Sequence, residues 1–349
     1  QGLVNQGSHS FHIHRNPFCI PKYRYKKRGL FVPSNSILRY FRCKYSKSFY
    51  NDKNQKAFQQ IFITLTNEPI KRVMKRILVP IDFSKEAENA ARVAAHIARK
   101  TGSEIYLVHM LELPVTTVDP AEMNAISSEP QIIYFMKLAH EKFEKFINLP
   151  FFKGLKVVES VQFQHAFSGI IAESEKSNID LIVMGSQGAS GLQEMFIGSN
   201  TEKVVRRSKI PVLVIKKEVD KFEVNDMIFA SDFNKESKTT FQRVANFANL
   251  FDAKIHLLYI NTIHNFNTTK NIEKRMADFM DDFDFSNYTT MIYNDISIEK
   301  GILSYARDID ADLIALNTHG RSGLSQLFNG SIGQELANHA LRPVITFKI

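Results

Sequence analysis

Cysteine and tryptophan are scarce in this chain, whose 349 residues hold no tryptophan and two cysteines, Cys19 and Cys43. Both cysteines lie within residues 1–73, so the sequence after them offers no disulfide and no cysteine metal site. No apolar run approaches the roughly 18 residues that span a bilayer. These absences argue against a disulfide-stapled or membrane-spanning protein, and we expect a soluble, cytoplasmic one.

Acidic residues are equally scarce in residues 1–73, which set 14 lysines and arginines against only Asp52 and Glu68. The remaining sequence carries 31 basic and 34 acidic residues, so the formal charge of +9 belongs to this first segment. A basic surface is therefore no property of the rest of the chain, and nucleic acid is not an expected partner.

The same first segment shows neither a helical nor a strand period. We predict that residues 1–73 form a basic, poorly ordered extension, with an acid-poor targeting peptide as the alternative. Its histidines are interpreted as ordinary tail residues rather than metal ligands. A chain that starts at Met74 is expected to fold and to bind its ligand as the full chain does.

One spaced pattern of small residues occurs twice beyond this extension. It reads Gly185-Ser-Gln-Gly188, nine residues, Gly198-Ser199, and then Asn317-Thr-His-Gly320, nine residues, Gly330-Ser331. Each copy follows an apolar strand-like run and precedes a helix-like segment. A glycine loop admits positive φ and close backbone approach, and a helix start adds free N–H donors, so the pattern predicts a phosphate cradle.

The repetition extends to the start of each copy, where an apolar run ends in Asp82-Phe-Ser84 and again in Asp232-Phe-Asn234. Internal duplication explains this, and we divide the chain into a first repeat, 74–219, and a second repeat, 220–349. Strands and helices alternate in both, which predicts a doubly wound parallel α/β sheet in each repeat. Ser84 is predicted to cap the first helix, and Gly102 to end it.

Taken together, the Gly-x2-Gly-x9-Gly-Ser loops and the Val79-Pro-Ile-Asp82-Phe-Ser start resemble the universal stress protein family in its tandem form, from about residue 74 to 349. The resemblance implies two five-stranded parallel sheets of order 3-2-1-4-5, of the adenine nucleotide alpha hydrolase-like fold, related by a pseudo-two-fold axis. It implies ATP, with or without Mg²⁺, where strands one and four diverge. The implied ATP-binding residues are Pro80, Asp82, Met110, Gly185, Gly188, Gly198 and Ser199, and in the second repeat Asp232, Asn317, Gly320, Arg321, Gly330 and Ser331.

Most of these residues also have a structural explanation. Asp82 would accept hydrogen bonds from ribose or lie near Mg²⁺, or it would simply cap the first helix. Ser199 would bond phosphate, cap its helix, or do both. Pro80 and Met110 would flank adenine and ribose, although core packing explains Met110 nearly as well. Gly188 and Gly198 would allow backbone approach or only a turn, and a valine at Gly188 is predicted to block ATP.

The second repeat departs from this pattern at several positions. Asn317 replaces the first glycine, where its tolerance of left-handed backbone would preserve the turn. Ala230 stands in the place of Pro80. Arg321 has no cationic counterpart in the first repeat and is either a phosphate ligand or a solvated loop arginine.

Enzyme motifs are missing as well. The loops lack the Lys-Ser/Thr ending of a P-loop, there is no G-x-G-x-x-G, and His319 is a lone loop histidine with no evident partner. We therefore expect a nucleotide-dependent regulatory or stress-response protein and no dedicated enzyme. A weak ATPase or phosphotransferase and a nucleotide-free interaction scaffold are the alternatives.

The remaining expectation concerns assembly. The last strands, 211–217 and 343–349, are predicted to lie side by side within one chain, which would cover two sheet edges. A homodimer and an unidentified protein partner stay open.

Overall fold

A computed structural model describes residues 74–112, 129–186, 198–219, 221–318, 340 and 342–349, without the side chains of 129–131. Lys71 to Ile349 belong to one compact unit, and all elements named below lie within it. In this described part no helix is both long and apolar enough to cross a membrane.

The first repeat alternates strands and helices as the sequence predicts. Its strands are β1 (Arg76–Pro80), β2 (Glu104–Met110), β3 (Val157–Gln162), β4 (Leu181–Gly185) and β5 (Val212–Ile215). Its helices are α1 (Lys85–Thr101), α2 (Glu129–Ile147), α3 (Ala166–Lys176) and α4 (Ser199–Arg207), with a short 3-10 turn at Pro150–Phe152.

The second repeat follows the same order. Its strands are β6 (Asp226–Ala230), β7 (Lys254–Asn261), β8 (Tyr288–Asn294), β9 (Leu313–Thr318) and β10 (Val344–Lys348). Its described helices are α5 (Lys235–Asn249), α6 (Thr269–Met280) and α7 (Ile298–Asp308), with a 3-10 turn at Ile263–Asn265.

The strands form one ten-stranded sheet of order β3-β2-β1-β4-β5-β10-β9-β6-β7-β8. Within each repeat the pairs are parallel and follow the predicted 3-2-1-4-5 order. β5 and β10 pair antiparallel, with Val214 opposite Val344, which confirms that the last strands lie side by side. β5 is shorter than the predicted 211–217, and it begins after Pro211, which has no N–H to donate to a ladder.

Helix α1 begins and ends where the sequence places its signals. The Ser84 side chain accepts a hydrogen bond from Ala87 N–H, and Gly102 closes the helix at φ 70° with its N–H on Ala98 O. Both caps satisfy backbone groups that the helix cannot satisfy itself. The local signals at these two positions therefore set where α1 begins after β1 and where it ends before β2.

Helices cover both faces of the sheet. On the face of α1, α2, α5 and α6, one apolar core runs through both repeats, from Ile77 and Phe143 to Phe279 and Phe347. On the other face, α3 and α4 pack on a core confined to the first repeat, and α7 packs on a separate one in the second. The shared core and the β5–β10 pairing join the repeats into one body.

Candidate functional site

A cleft of about 310 Å³ lies at the carboxyl ends of β1 and β4 in the first repeat. From β1 the chain crosses to β2 on one side, while β4 lies on the other side, so this is the switch point at which open α/β sheets bind ligands. The cleft is lined by Pro80, Ile81, Asp82, Ala87, Val108, His109, Met110, Ala166, Ile170, Met184, Gly185, Gly198, Ser199, Asn200 and Thr201.

The turn after β1 brings Asp82 to this cleft. Phe83 adopts φ 65°, a left-handed conformation that is unusual for a bulky side chain, and Phe233 repeats it at φ 55° in the second repeat. The Phe83 ring packs edge-on against Phe143, with centroids 5.2 Å apart, and this burial holds the turn in place. Asp82 is exposed, and its carboxylate accepts a hydrogen bond from Ser84 N–H at 3.0 Å.

Ser84, and not Asp82, is therefore the cap of helix α1. The Asp82 carboxylate supports this cap from two residues away while facing the cleft. One residue can thus serve the turn and a ligand together, so the two interpretations of Asp82 do not exclude each other.

Gly185, at the end of β4, has a packing reason to be glycine. A Cβ atom there would lie 2.9 Å from the backbone carbon of Glu86 in α1. Real Cβ atoms essentially never come this close to another residue's backbone atoms. Gly198 has φ −59°, which any residue adopts, and its N–H donates to Ser186 O at 2.7 Å. Its backbone conformation therefore does not require a glycine.

Helix α4 points its first turn into the cleft. Its N-cap is Gly198, without a side-chain cap bond, so the expectation that Ser199 caps the helix is wrong. Ser199 is the first helical residue and is exposed. Thr201 anchors this turn, since its hydroxyl donates to Gly185 O at 3.0 Å. No described side chain caps this first turn, and a helix N-terminus attracts anions.

Sequence reasoning did not select Thr201 or His109. His109 Nδ1 lies 2.6 Å from Ile81 O, and because a carbonyl only accepts, Nδ1 carries the proton. Burial lowers the pKa of His109, while this bond to Ile81 opposes the shift. The imidazole is therefore neutral at pH 7 and holds the turn after β1 against β2. Only the alternation of β2 side chains could have indicated His109.

Among the described residues, the equivalent place in the second repeat shows a pocket of about 10 Å³, which is room for about one water molecule. It is lined by Ala230, Ser231, Asp232, Leu258, Tyr259, Ile260, Ile298 and Ile302. Strand register gives the correspondence, because Pro80 faces Val108 in the first repeat and Ala230 faces Leu258 in the second.

Two of the lining positions carry larger side chains in the second repeat. Along the strands, Val108 corresponds to Leu258, which is larger by one methylene, and Met110 to Ile260, which is of similar size. At the first position of the following helix, Ala166 in α3 corresponds to Ile298 in α7. The change from alanine to isoleucine adds the most side-chain volume of these three.

The polar residues of the second repeat bond to one another. Asn317 is fully buried at the end of β9, where its Oδ1 accepts from the Thr240 hydroxyl at 2.6 Å. It has no positive φ, so the expectation that Asn preserves a left-handed turn is wrong. Its Nδ2 finds no hydrogen-bond partner in the described part of the chain. The Asp232 carboxylate accepts from the side chains of Asn234 and Ser237.

The other predicted site residues lie outside the described residues. These are Gly188 in the first repeat and Gly320, Arg321, Gly330 and Ser331 in the second. Of the described His, Cys, Asp and Glu residues, no three come together as a metal site.

Fold and cleft thus define a tandem, doubly wound α/β protein with an open cleft at the switch point of the first repeat. The sequence model of the universal stress protein family matches residues 74–216 and 291–348, more than half of the chain. The chain therefore belongs to the universal stress protein family, and this membership supports a role in the stress response. The second match leaves out β6 and β7, which carry much of the lining of the small pocket.

Relatives include both single-repeat and tandem proteins. Universal stress protein Slr1230 from Synechocystis sp. is 23% identical over 299 residues, covering 79% of this chain and 100% of Slr1230. Universal stress protein MJ0531 from Methanocaldococcus jannaschii is 29% identical over 154 residues, covering 42% of this chain and 85% of MJ0531.

Among solved structures, a universal stress protein from Archaeoglobus fulgidus superposes with a TM-score of 0.58 at 20% identity, over 78% of this chain and 98% of that one. A putative universal stress protein from Pseudomonas aeruginosa gives 0.54 at 18% identity, over 80% and 94%. At these identities the likeness supports the tandem fold alone.

Proposed function

We propose that the first repeat binds one ATP molecule, and that this protein is a stress-response regulator whose shape or partners change with nucleotide occupancy. The observation that carries the proposal is the cleft of about 310 Å³, at which predicted site residues from four separate segments meet. These residues are Pro80, Asp82, Met110, Gly185, Gly198 and Ser199. The volume of the cleft lies at the lower end of the range of about 300–1,000 Å³ for small-molecule sites.

The residues that line this cleft suit each part of ATP. Val108, Met110 and Ile170 offer apolar surface for the adenine ring. The exposed Asp82 carboxylate offers acceptors for the ribose hydroxyls. The first turn of α4 offers N–H donors and the positive end of its dipole to the phosphates.

Mg²⁺ fits this arrangement as a companion of the phosphates. Magnesium commonly takes one or two carboxylates together with phosphate oxygens and water. The described cleft provides Asp82 as its carboxylate, and the described residues hold no larger cluster of metal ligands. The ion would thus arrive with ATP rather than occupy a metal site of its own.

The second repeat, by this proposal, binds no nucleotide. Its pocket of about 10 Å³ cannot take an adenine ring without displacing Ile298 or Ile260. Asn317 is fully buried, and its Oδ1 is bonded to the Thr240 hydroxyl. We therefore assign one nucleotide to each chain.

Calorimetric titration with ATP tests the proposal through Ala166→Ile, which places the isoleucine of the second repeat at the mouth of the first cleft. We expect ATP affinity to fall at least about tenfold, or about 1.4 kcal/mol, because the added side chain occupies the space of the ligand. Stability should change little, since Ala166 borders open space.

Ser168→Ile is the matched control, because Ser168 lies in the same helix, is exposed and does not line the cleft. It should leave ATP affinity unchanged. Undiminished affinity in a folded Ala166→Ile protein, or an equal loss in both variants, would contradict the proposed site. An unmodified protein that takes up no adenine nucleotide would favour the scaffold alternative.

A further inference from the structure

One lysine of the second repeat reaches across to the helix that borders the cleft of the first. Lys348, at the end of β10, donates from Nζ to Arg206 O at 3.0 Å. Arg206 lies in the last turn of α4, and the first turn of the same helix lines the cleft. A single helix thus connects the candidate phosphate site with the second repeat.

The stability of helix α4 is expected to depend on contacts of this kind. It has nine residues, and helices of this length are marginal without support from their surroundings. Its buried residues Thr201, Val204 and Val205 hold one side against the core. Its last carbonyls still need partners, and a cation at the C-terminus also complements the helix dipole.

The position of Lys348 is itself well defined. Its backbone pairs with Thr318 of β9, and its carbonyl accepts a hydrogen bond from Arg243 of α5. Both partners belong to the second repeat. Because the backbone of Lys348 is held by the second repeat, its side chain bonds to α4 from a fixed position. A flexible surface lysine would instead move with the helix.

Two features of the opposite end of α4 favour an anion there. Gly198 provides no side-chain cap, and Glu202, the acidic residue of the first turn, pairs with Arg206 at 3.3 Å. That ion pair draws the carboxylate towards the C-terminal turn and reduces its repulsion of a bound anion. The donors present a phosphate site only while the first turn is helical.

We propose that Lys348 is a positioning residue for the nucleotide site, so that the second repeat, whose own pocket is filled, supports phosphate binding by the first. This inference rests on the proposed function. It assigns the second repeat a task that needs no nucleotide of its own. Lys348 touches no ligand and acts only through α4.

Comparison of ATP with adenosine separates this role from a general loss of stability. Adenosine would contact the residues proposed for the adenine ring and the ribose. It would not use the α4 N–H donors, because it has no phosphate. Lys348→Met keeps much of the side-chain volume and removes the charge. We expect it to weaken ATP binding about threefold to tenfold while adenosine affinity stays unchanged, and to speed hydrogen exchange of the α4 amides. Lys348→Arg should retain most of the ATP affinity.

Lys209→Met is the matched control, since Lys209 lies just beyond α4, is largely exposed and pairs with Glu175. It should change neither affinity. Equal losses for ATP and adenosine in Lys348→Met, or no loss for either, would overturn the positioning role. If the unmodified protein binds neither ligand, the proposed function fails, and hydrogen exchange decides on Lys348. Unchanged protection of α4 in Lys348→Met would then overturn its support of the helix, whereas faster exchange would uphold that support.

Discussion

At the carboxyl ends of its central strands the first repeat encloses about 310 Å³, whereas the second encloses about 10 Å³ at the equivalent place. Strand order, parallel pairing and the strained Asp-Phe turn are the same in both. The sheet therefore does not need an open cleft in order to form. Within the described residues, the two repeats differ at this place in side chains at the strand ends and at the start of one helix, such as Ala166 against Ile298.

The repeats also differ in how the end of the fourth strand packs against the first helix. In the first, Gly185 lets α1 approach β4, and Ala90 of α1 is fully buried. In the second, Asn317 replaces the glycine, and its side chain bonds to Thr240 of α5. Exchange of residues between the repeats therefore tests whether each solution depends on its own helix.

The largest effect is expected from Gly185→Asn, which brings the residue of the second repeat into the first. Its Cβ would lie 2.9 Å from Glu86 backbone, and the fully buried Ala90 offers no hydroxyl to its amide. Overpacking and an unsatisfied buried amide should together cost about 3 kcal/mol of the free energy of unfolding, measured by urea denaturation.

The reciprocal change, Asn317→Gly, is its control. It removes an amide whose Nδ2 has no partner within the described residues, and the single proton of the Thr240 hydroxyl can then be donated to Ser237 O, which lies 2.9 Å away. A loss of only about 1 kcal/mol is expected, mainly from glycine entropy. Equal losses in the two variants would show that the repeats do not differ in this packing.

A smaller effect is expected from Thr240→Ala. The change leaves Asn317 Oδ1 without its described partner in a fully buried place, so stability should fall by about 2 kcal/mol. Thr239→Ala provides the comparison, because Thr239 is its exposed neighbour in α5 and bonds only to Glu236 O. Urea denaturation of both variants should separate them by more than 1 kcal/mol, on the order expected for a buried polar group. Similar curves would rule out the Asn317–Thr240 bond as a source of stability.

The smallest effect concerns acid and the linker between the repeats. His96 Nδ1 accepts a hydrogen bond from Phe222 N–H at 2.8 Å, which protonation would break. Burial, followed by Arg99 and Arg92, lowers the pKa of His96 below its ordinary value of 6.5. The stability it contributes is therefore complete above pH 6.5 and declines as the pH falls through that value, because the unfolded chain binds the proton more readily.

His96→Asn keeps an acceptor near the place of Nδ1 without a titrating group, and Asn is the residue that α5 carries at the equivalent position, Asn246. We expect melting temperatures to decline less between pH 7.5 and pH 5.5 in this variant than in the unmodified protein. His140→Asn, at an exposed position, should not flatten the profile in this way. Parallel pH profiles for His96→Asn and the unmodified protein would remove His96 as a source of acid sensitivity.

Much of the fold could be predicted from sequence because its signals are local. Apolar runs mark the strands, Ser84 and Gly102 mark the ends of α1, and the duplicated Asp-Phe turn marks where each sheet begins. The pairing of the last strands was expected from the resemblance to the universal stress protein family, and it covers two sheet edges.

The details of the site depend on contacts between distant residues, and these were missed. Gly185 meets Glu86 about a hundred residues away in sequence, and Asn317 meets Thr240 in another helix. No local pattern indicates that Ile298 occupies the space that Ala166 leaves open. Sequence periodicity places such residues on a helix or strand, but only their packing shows whether a pocket is open or filled.

The stoichiometry of ATP binding to the full chain tests the central claim most directly. Equilibrium dialysis with radiolabelled ATP at saturating concentration, with protein concentration from amino-acid analysis, would count the nucleotides on each chain. The account predicts one ATP per chain in the unmodified protein and, as the concentration is lowered, a dissociation constant at least about tenfold higher in Ala166→Ile. Two per chain, or an unchanged dissociation constant in a folded Ala166→Ile protein, would contradict the assignment of the nucleotide to the first repeat.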